Sequence, residues 1–276
     1  MMHRPSERMR RATLLMGFGF LYVPILWIVI FSFRGGEGDG GGFRLSLEWY
    51  RALTSNDEYL TAARRSLELA VLSTGVSTAL GTLAGIGLAR IRAFPGRRLL
   101  MALLAVPIFA PEILLGFSFL MLFAALESLT GWAQGKGMLT LVIAHATLGT
   151  SIVASVVLAR VVGRDQSLEN AARDLGARPL RVLCTITIPL AVPGIASGAL
   201  LALTLSFDDV VTSSFLAGPE NTTLPMAIFS SLHVGINPQI NALGTLMLVG
   251  VAGVVGLSFL ATRLGGRTGL SDAPRN

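Results

Sequence analysis

Charge is the scarcest property of this chain: only 14% of its 276 residues are Asp, Glu, Lys or Arg, where a soluble domain carries about 25%. Too few charged side chains are present to coat a water-facing surface. With 52% hydrophobic residues and a mean hydropathy of +0.66, the composition is that of a membrane protein. Cysteine is almost absent as well. Cys184 stands alone, which excludes an internal disulfide, and one thiol with His3, His145 and His233 supplies no Cys/His metal set. Lys136 is the only lysine and is followed by Gly137, so a G-x-x-x-x-G-K-[ST] phosphate loop is missing and the chain is not expected to hydrolyse ATP. No nucleophile and base converge on a pattern either, so no catalytic residue is assigned.

What the chain has instead is long stretches free of charge, to be compared with the roughly 20 residues a helix needs to cross the hydrocarbon core. Six spans are predicted. They are Ala12 to Phe33, Leu69 to Ala89, Leu99 to Leu126, Gly137 to Ala159, a span starting near Pro193 and ending at Phe207, and about Ile240 to Thr262. The third is interrupted by Glu112 after Pro107 and Pro111, which predicts a kink or local unwinding. Pro225, Asn237 and Pro238 mark the stretch before the sixth span as loop or short helix. The first span is too long for the apolar core of a cleavable signal and no A-x-A-like site follows it, so it is expected to remain as an anchor.

Orientation follows from the arginines, because positive residues are retained in the cytoplasm. With the N-terminus inside, the inner segments hold Arg4 to Arg11, Arg90 to Arg98, Arg160 to Arg181 and Arg263 to Arg275, sixteen arginines in all. The outer loops hold six basic residues, and none lies between Phe207 and the last span. Both termini are therefore expected in the cytoplasm. This asymmetry accounts for the net charge of +6 and the pI of about 10.6, and leaves no support for nucleic-acid binding.

Between the fourth and fifth spans lies a cytoplasmic segment, 163–192, longer than a connecting turn requires. Ser167 is placed to cap a helix there. Leu168, Ala171, Ala172 and Leu175 fall on one face, and Gly176 is placed to end it. Pro179 then starts a second short helix expected to turn Leu180, Leu183 and Ile186 inward. Cys184 is read as a small apolar residue of this loop.

The run Asn170-Ala171-Ala172-Arg173-Asp174-Leu175-Gly176, with Ile186-Thr187-Ile188-Pro189 following, resembles the EAA loop of ABC importer permeases. The family pattern reads E-A-A, three residues, G, nine residues, then I-x-L-P; here Asn170 holds the glutamate position, Glu169 stands beside it, and Ile188 replaces the leucine. A second set of residues resembles the spermidine/putrescine, PotC-type permeases: Ser206 to Leu216, Gly218-Pro219, Thr223-Leu224-Pro225, Val234 to Pro238 with Asn241 to Leu243, Arg90-x-Arg92-x-Phe94-x-Gly96, and Pro111-Glu112. That similarity runs from about Leu60 to Leu260.

The resemblance implies an all-α membrane protein with the type I ABC importer permease fold, in a bacterial inner membrane, acting as half of a translocation pore for a small cationic solute such as a polyamine, the alternative being another small solute, since the matched motifs are compatible with either. It implies an N-terminal part, 1–59, a five-helix core, 60–263, and a cytoplasmic tail, 264–276. Glu169, Asn170, Ala171, Ala172, Asp174, Gly176, Ile186 and Pro189 would form the surface that couples to an ATPase dimer. ATP and magnesium would be used there, with no cofactor held by this chain. A second, PotB-type permease and an extracytoplasmic binding protein would complete the assembly.

Three carboxylates are candidates for the substrate path. Glu112 sits within an apolar span, where an ionisable group is costly unless it faces water, a partner or the bundle interior. It is read as lining the path of a cation, the alternative being that it caps backbone freed by Pro111 or pairs with the partner permease. Asp208 and Asp209 lie at the outer end of the fifth span, where an interfacial helix end is an equal reading. Adjacent carboxylates cannot both project from one helix face, so at most one is expected to face the pore. His145 is read as a packed, hydrogen-bonded residue, and Glu68 and Glu127 as interfacial. A self-sufficient secondary transporter would show paired broken helices in two repeats, and a membrane enzyme a converging reactive set; neither pattern is present, and both leave the EAA-like loop unexplained.

Overall fold

A computed structural model describes residues 7–35, 44–91, 93–132, 136–234 and 238–267, with side chains described for all but 234, 254 and 257–267. The glycine loop at 36–43, Arg92, Arg263, Arg267 and the tail from 268 lie outside the described side chains. The described residues are almost entirely helical. Five helices among them are long and apolar enough to cross a membrane: α1 (Glu7–Ser32), α3 (Asp57–Arg90), α5 (Glu112–Thr130), α6 (Met138–Val162) and the run from Pro179 to Asp208.

That last run is built from a single α turn, α8 (Pro179–Val182), a π turn over Leu183–Thr187, and α9 (Ile188–Asp208). The fifth span thus starts earlier than the expected Pro193. Pro189 directly follows the π turn as the second residue of α9, and Pro193 lies inside the helix. The third span is divided as expected. It consists of α4 (Arg97–Phe109) and α5, separated at Ala110 and Pro111. The sixth falls on α12 (Gln239–Arg267), whose side chains show an apolar helix over Gln239–Gly253; before it stands the short apolar helix α11 (Leu224–Val234).

The chain divides into two compact units. The first comprises residues 1–60 and 230–254. Within it a single antiparallel bridge, Arg34 to Leu45, precedes α2 (Glu48–Thr54), and the Trp49 indole N–H donates to the Arg34 carbonyl at 2.6 Å. Ser32 and Tyr50 share a hydroxyl hydrogen bond of 2.7 Å.

The second unit comprises residues 61–229 and 255–276 and carries the core. Here α6 packs between neighbours whose backbones come very close. A Cβ on Gly85 of α3 would lie 2.7 Å from the Ala154 carbonyl oxygen, and one on Gly198 of α9 would lie 3.1 Å from the Val153 Cα. Gly81 and Gly194, four residues earlier on each helix, meet Val153 and Arg160 just as closely. Two G-x-x-x-G pairs therefore seat α3 and α9 against one helix, as small residues do where apolar burial against lipid gives no driving force. Ile86, Val153, Val157, Val161, Ala191 and Ala202 fill one half of this core, and Leu69, Phe123, Leu141, Ala144 and Leu216 the other.

Candidate functional site

The cytoplasmic loop folds as two helical pieces. α7 (Ser167–Asp174) begins with Asp165, whose carboxylate accepts from the Ser167 N–H at 3.0 Å and from its hydroxyl at 2.8 Å. These bonds hold the Asp165 carboxyl below its usual range. Asp165, and not the expected Ser167, supplies the cap, because Ser167 is already the first helical residue. The end is as expected. Gly176 takes φ +85°, its N–H reaches the Arg173 carbonyl at 2.9 Å, and Ala177 N–H reaches Ala172 at 3.0 Å, the paired closure of a helix ended by a left-handed glycine.

The faces of this helix differ in kind. Leu168 (59%), Ala171 and Leu175 (90%) are exposed, Ala172 is half-buried, and Asn170, Arg173 and Asp174 are exposed. Glu169 alone turns inward and keeps 3% of its surface. Its Oε1 accepts from Arg90 Nη2 at 2.5 Å and from Thr187 Oγ1 at 3.0 Å. Leu180, expected inside, is exposed (75%), while Val182 and Thr187 are buried. The physical reason lies in α8 itself: its inward residue is Val182, and Leu180, two residues earlier, stands about 200° round the helix and so faces out. Ile186 is half-buried, and Pro189 and Cys184 are exposed.

A second polar cluster lies at the outer end of the same unit. His145 of α6 is 3% exposed. Its Nδ1 stands 2.9 Å from Ser206 Oγ, and its Nε2 lies 3.2 Å from Ser213 Oγ and 3.1 Å from Asp209 Oδ2. Ser206 is also bonded to Ser73 of α3 at 2.9 Å. Asp209 Oδ1 accepts from the Thr212 N–H at 3.0 Å and so caps α10 (Val211–Leu216). This cluster ties α3, α6, α9 and α10 together, with Asp209 inside it.

Asp208, its neighbour, is exposed, and so is Glu112 in the first turn of α5. Among the described residues the Glu112 carboxylate makes no cap and no ion pair. One turn further along α5, a Cβ on Gly116 would lie 2.6 Å from the Phe215 ring and 3.2 Å from the Thr212 Cα. The carboxylates picked from the sequence are therefore carried by the two elements, α5 and the α9–α10 elbow, that meet at this contact.

Sequence reasoning passed over Arg90 and Thr187 as bonding residues, and placed Ser73, Ser206 and Ser213 in no network. In the sequence Arg90 and Thr187 stand only as motif positions; an arginine ending a span and a threonine before the helix proline are the available signals. Glu68, expected at an interface, pairs with Arg64 at 2.9 Å and Arg65 at 3.2 Å.

Several helices apolar enough to cross a membrane, a glycine-seated core and a helical loop with one apolar exposed face define an integral membrane protein. Residues 77–267 match the family described as binding-protein-dependent transport system inner membrane component, and the chain belongs to that family. It is a multi-pass inner-membrane permease of an ABC importer, a system that also comprises an ATPase and a periplasmic binding protein. The chain is 44% identical over 247 residues to the putrescine transport system permease protein PotI of Escherichia coli K12, covering 90% of this chain and 88% of that one. It is 37% identical to the spermidine/putrescine permease PotC of the same strain, covering 84% and 85%. Solved structures share the fold at low identity. A bacterial importer of the acidic polysaccharide alginate gives a TM-score of 0.74 at 16% identity, covering 93% of this chain and 94% of that one. The MetNI methionine transporter gives 0.63, also at 16%, covering 74% and 94%.

Proposed function

We propose that this permease imports a polyamine, with putrescine as the first substrate to test, and forms half of a pore beside a second, PotB-type permease. Hydrolysis is assigned to an ATPase dimer that binds ATP and magnesium and docks on α7 and α8. The observation that carries this reading is the exposed apolar face of Leu168, Ala171, Leu175 and Leu180 on the arginine-rich side of the membrane, where a solvated helix would present polar groups. Gly176 ends α7 so that Leu175 protrudes, and Asn170, Arg173 and Asp174 frame that face with hydrogen-bonding groups.

The substrate reading rests on chemistry that both relatives' names share, putrescine, and on the exposed carboxylates Glu112 and Asp208. A diamine carries two ammonium groups, and carboxylates spaced along a partly dehydrated path lower the cost of removing each from water. Asp209 is assigned to holding the elbow instead. The test is uptake of labelled putrescine by vesicles containing the chain with its own partner permease, ATPase and binding protein, in the presence of competing spermidine, amino acids and sugars. Competition by spermidine alone is expected; competition by an amino acid or sugar and not by amines would overturn the substrate. Gly176→Val combined with Ala172→Leu is expected to abolish co-purification of the ATPase, and normal uptake by that variant would overturn the docking surface.

A further inference from the structure

One carboxylate oxygen joins three segments on the cytoplasmic side. Arg90 is the last residue of α3, Glu169 lies in the first turn of α7, and Thr187 closes the π turn that becomes α9. All three meet at Glu169 Oε1, and the side chains of Arg90 and Glu169 keep only 15% and 4% of their surface. An ion pair this far removed from water is hard to open, because separating it strands a charge without compensation. α7 therefore cannot move away from α3 or from the base of α9 without breaking it.

The rest of the geometry suits transmission. Arg90 uses only Nη2 for Glu169; its Nε and Nη1 are buried and have no acceptor among the described residues. A shift of α7 can hand the carboxylate to another of these nitrogens with no further desolvation, so the pair stays closed while α7 travels. Both α3 and the run through α9 cross the membrane, and both are seated on α6 through glycines, with Gly85 and Gly198 directly against its backbone at Ala154 and Val153. The exposed face of α7 carries the docking residues, and the buried face carries this contact.

We propose that Arg90 and Glu169 are positioning residues, a clamp through which displacement of α7 is delivered to α3 and α9. This deepens, and rests on, the reading of α7 as the ATPase-docking helix. It also gives Glu169 a role inside this chain and leaves contact with the ATPase to its exposed neighbours. Thr187 adds the third arm.

The experiment uses the complete transporter in proteoliposomes. It measures the amount of ATPase co-purifying, the stimulation of ATP hydrolysis by the putrescine-loaded binding protein, and putrescine uptake. Glu169→Gln is expected to retain the co-purifying ATPase while stimulation and uptake both fall at least fivefold. The exchange Arg90→Glu with Glu169→Arg is expected to recover at least half of both. Loss of ATPase from the Glu169→Gln complex in proportion to lost uptake would make Glu169 a docking contact and overturn the clamp, leaving the docking helix in place. Stimulation within twofold of the parent would overturn it as well. Failure of the docking reading is seen separately, as unchanged co-purification in the Gly176→Val, Ala172→Leu variant. Should Glu169→Gln not accumulate, Thr187→Val decides, since it removes one arm without stranding a charge. A loss of stimulation greater than twofold then supports the clamp, and parental stimulation overturns it.

Discussion

The α9–α10 elbow and the loop helix α7 treat adjacent polar residues in the same way, at opposite ends of one unit. At the elbow, Asp209 is bonded to the Thr212 backbone and set against His145, while Asp208 is exposed. On α7, Glu169 is bonded to Arg90 and Thr187, while Asn170 is exposed. In each pair one member holds elements together and the other is left for something outside the chain. The partners differ, however. Asp209 sits among hydroxyls and an imidazole within reach of four helices, whereas Glu169 meets a permanent guanidinium charge at helix ends. The elbow is built as a fixed corner, and the α7 contact as a linkage between parts that can shift together.

The largest effect is expected from the buried side of the elbow. His145→Leu leaves the Asp209 carboxylate, mostly buried, with the Thr212 N–H but no partner for Oδ2, at a cost of about 1–3 kcal/mol. The variant should show a lowered thermal midpoint in detergent and reduced membrane accumulation, whereas Asp208→Asn should match the parent in both. Equal stability of the two variants would remove the distinction between the neighbours.

Next comes the frame that both regions share. Gly85→Ala places a methyl group against the Ala154 carbonyl, and overpacking of this kind costs about 1–3 kcal/mol. Gly87→Ala, two residues along the same helix, meets nothing within 4 Å and should leave the midpoint unchanged or raise it. Thermal denaturation of the two variants side by side checks the close seating of α3 on α6.

The exposed carboxylates come third. Glu112→Gln is expected to lower putrescine uptake about tenfold, equivalent to about 1.4 kcal/mol, at parental protein level, with Glu112→Asp retaining more. Asp208→Asn is expected to act in the same direction. Initial rates of uptake over a range of putrescine concentrations measure both, and a glutamine variant as active as the parent would make Glu112 a structural residue.

The smallest effect belongs to the exposed member on α7. Asn170→Glu restores the acidic residue of the EAA pattern at a surface site, where an ion pair contributes about 0.2–1 kcal/mol and is screened by salt. A modest gain in ATPase co-purification at low salt, lost at high salt, is expected. A gain that persists in high salt would mean that this position is buried in the complex.

The sequence by itself determined the membrane class, the approximate spans, the division of the third span at Pro111 and the glycine end of α7. Each depends on composition or on residues close together in the chain: charge-free length, a ring without an N–H, a left-handed backbone at Gly176. The EAA-like spacing was equally legible, because it is a local pattern. Tertiary structure alone decided which of Asp208 and Asp209, and which of Glu169 and Asn170, turn inward. Adjacent residues have nearly the same sequence surroundings, and the choice is made by partners 64 and 79 positions away: His145 for Asp209, and Arg90 for Glu169. The π turn was hidden for a similar reason. It adds a residue to a helical turn without a signature of its own, and so sets Val182 and Thr187, five residues apart, on one buried side.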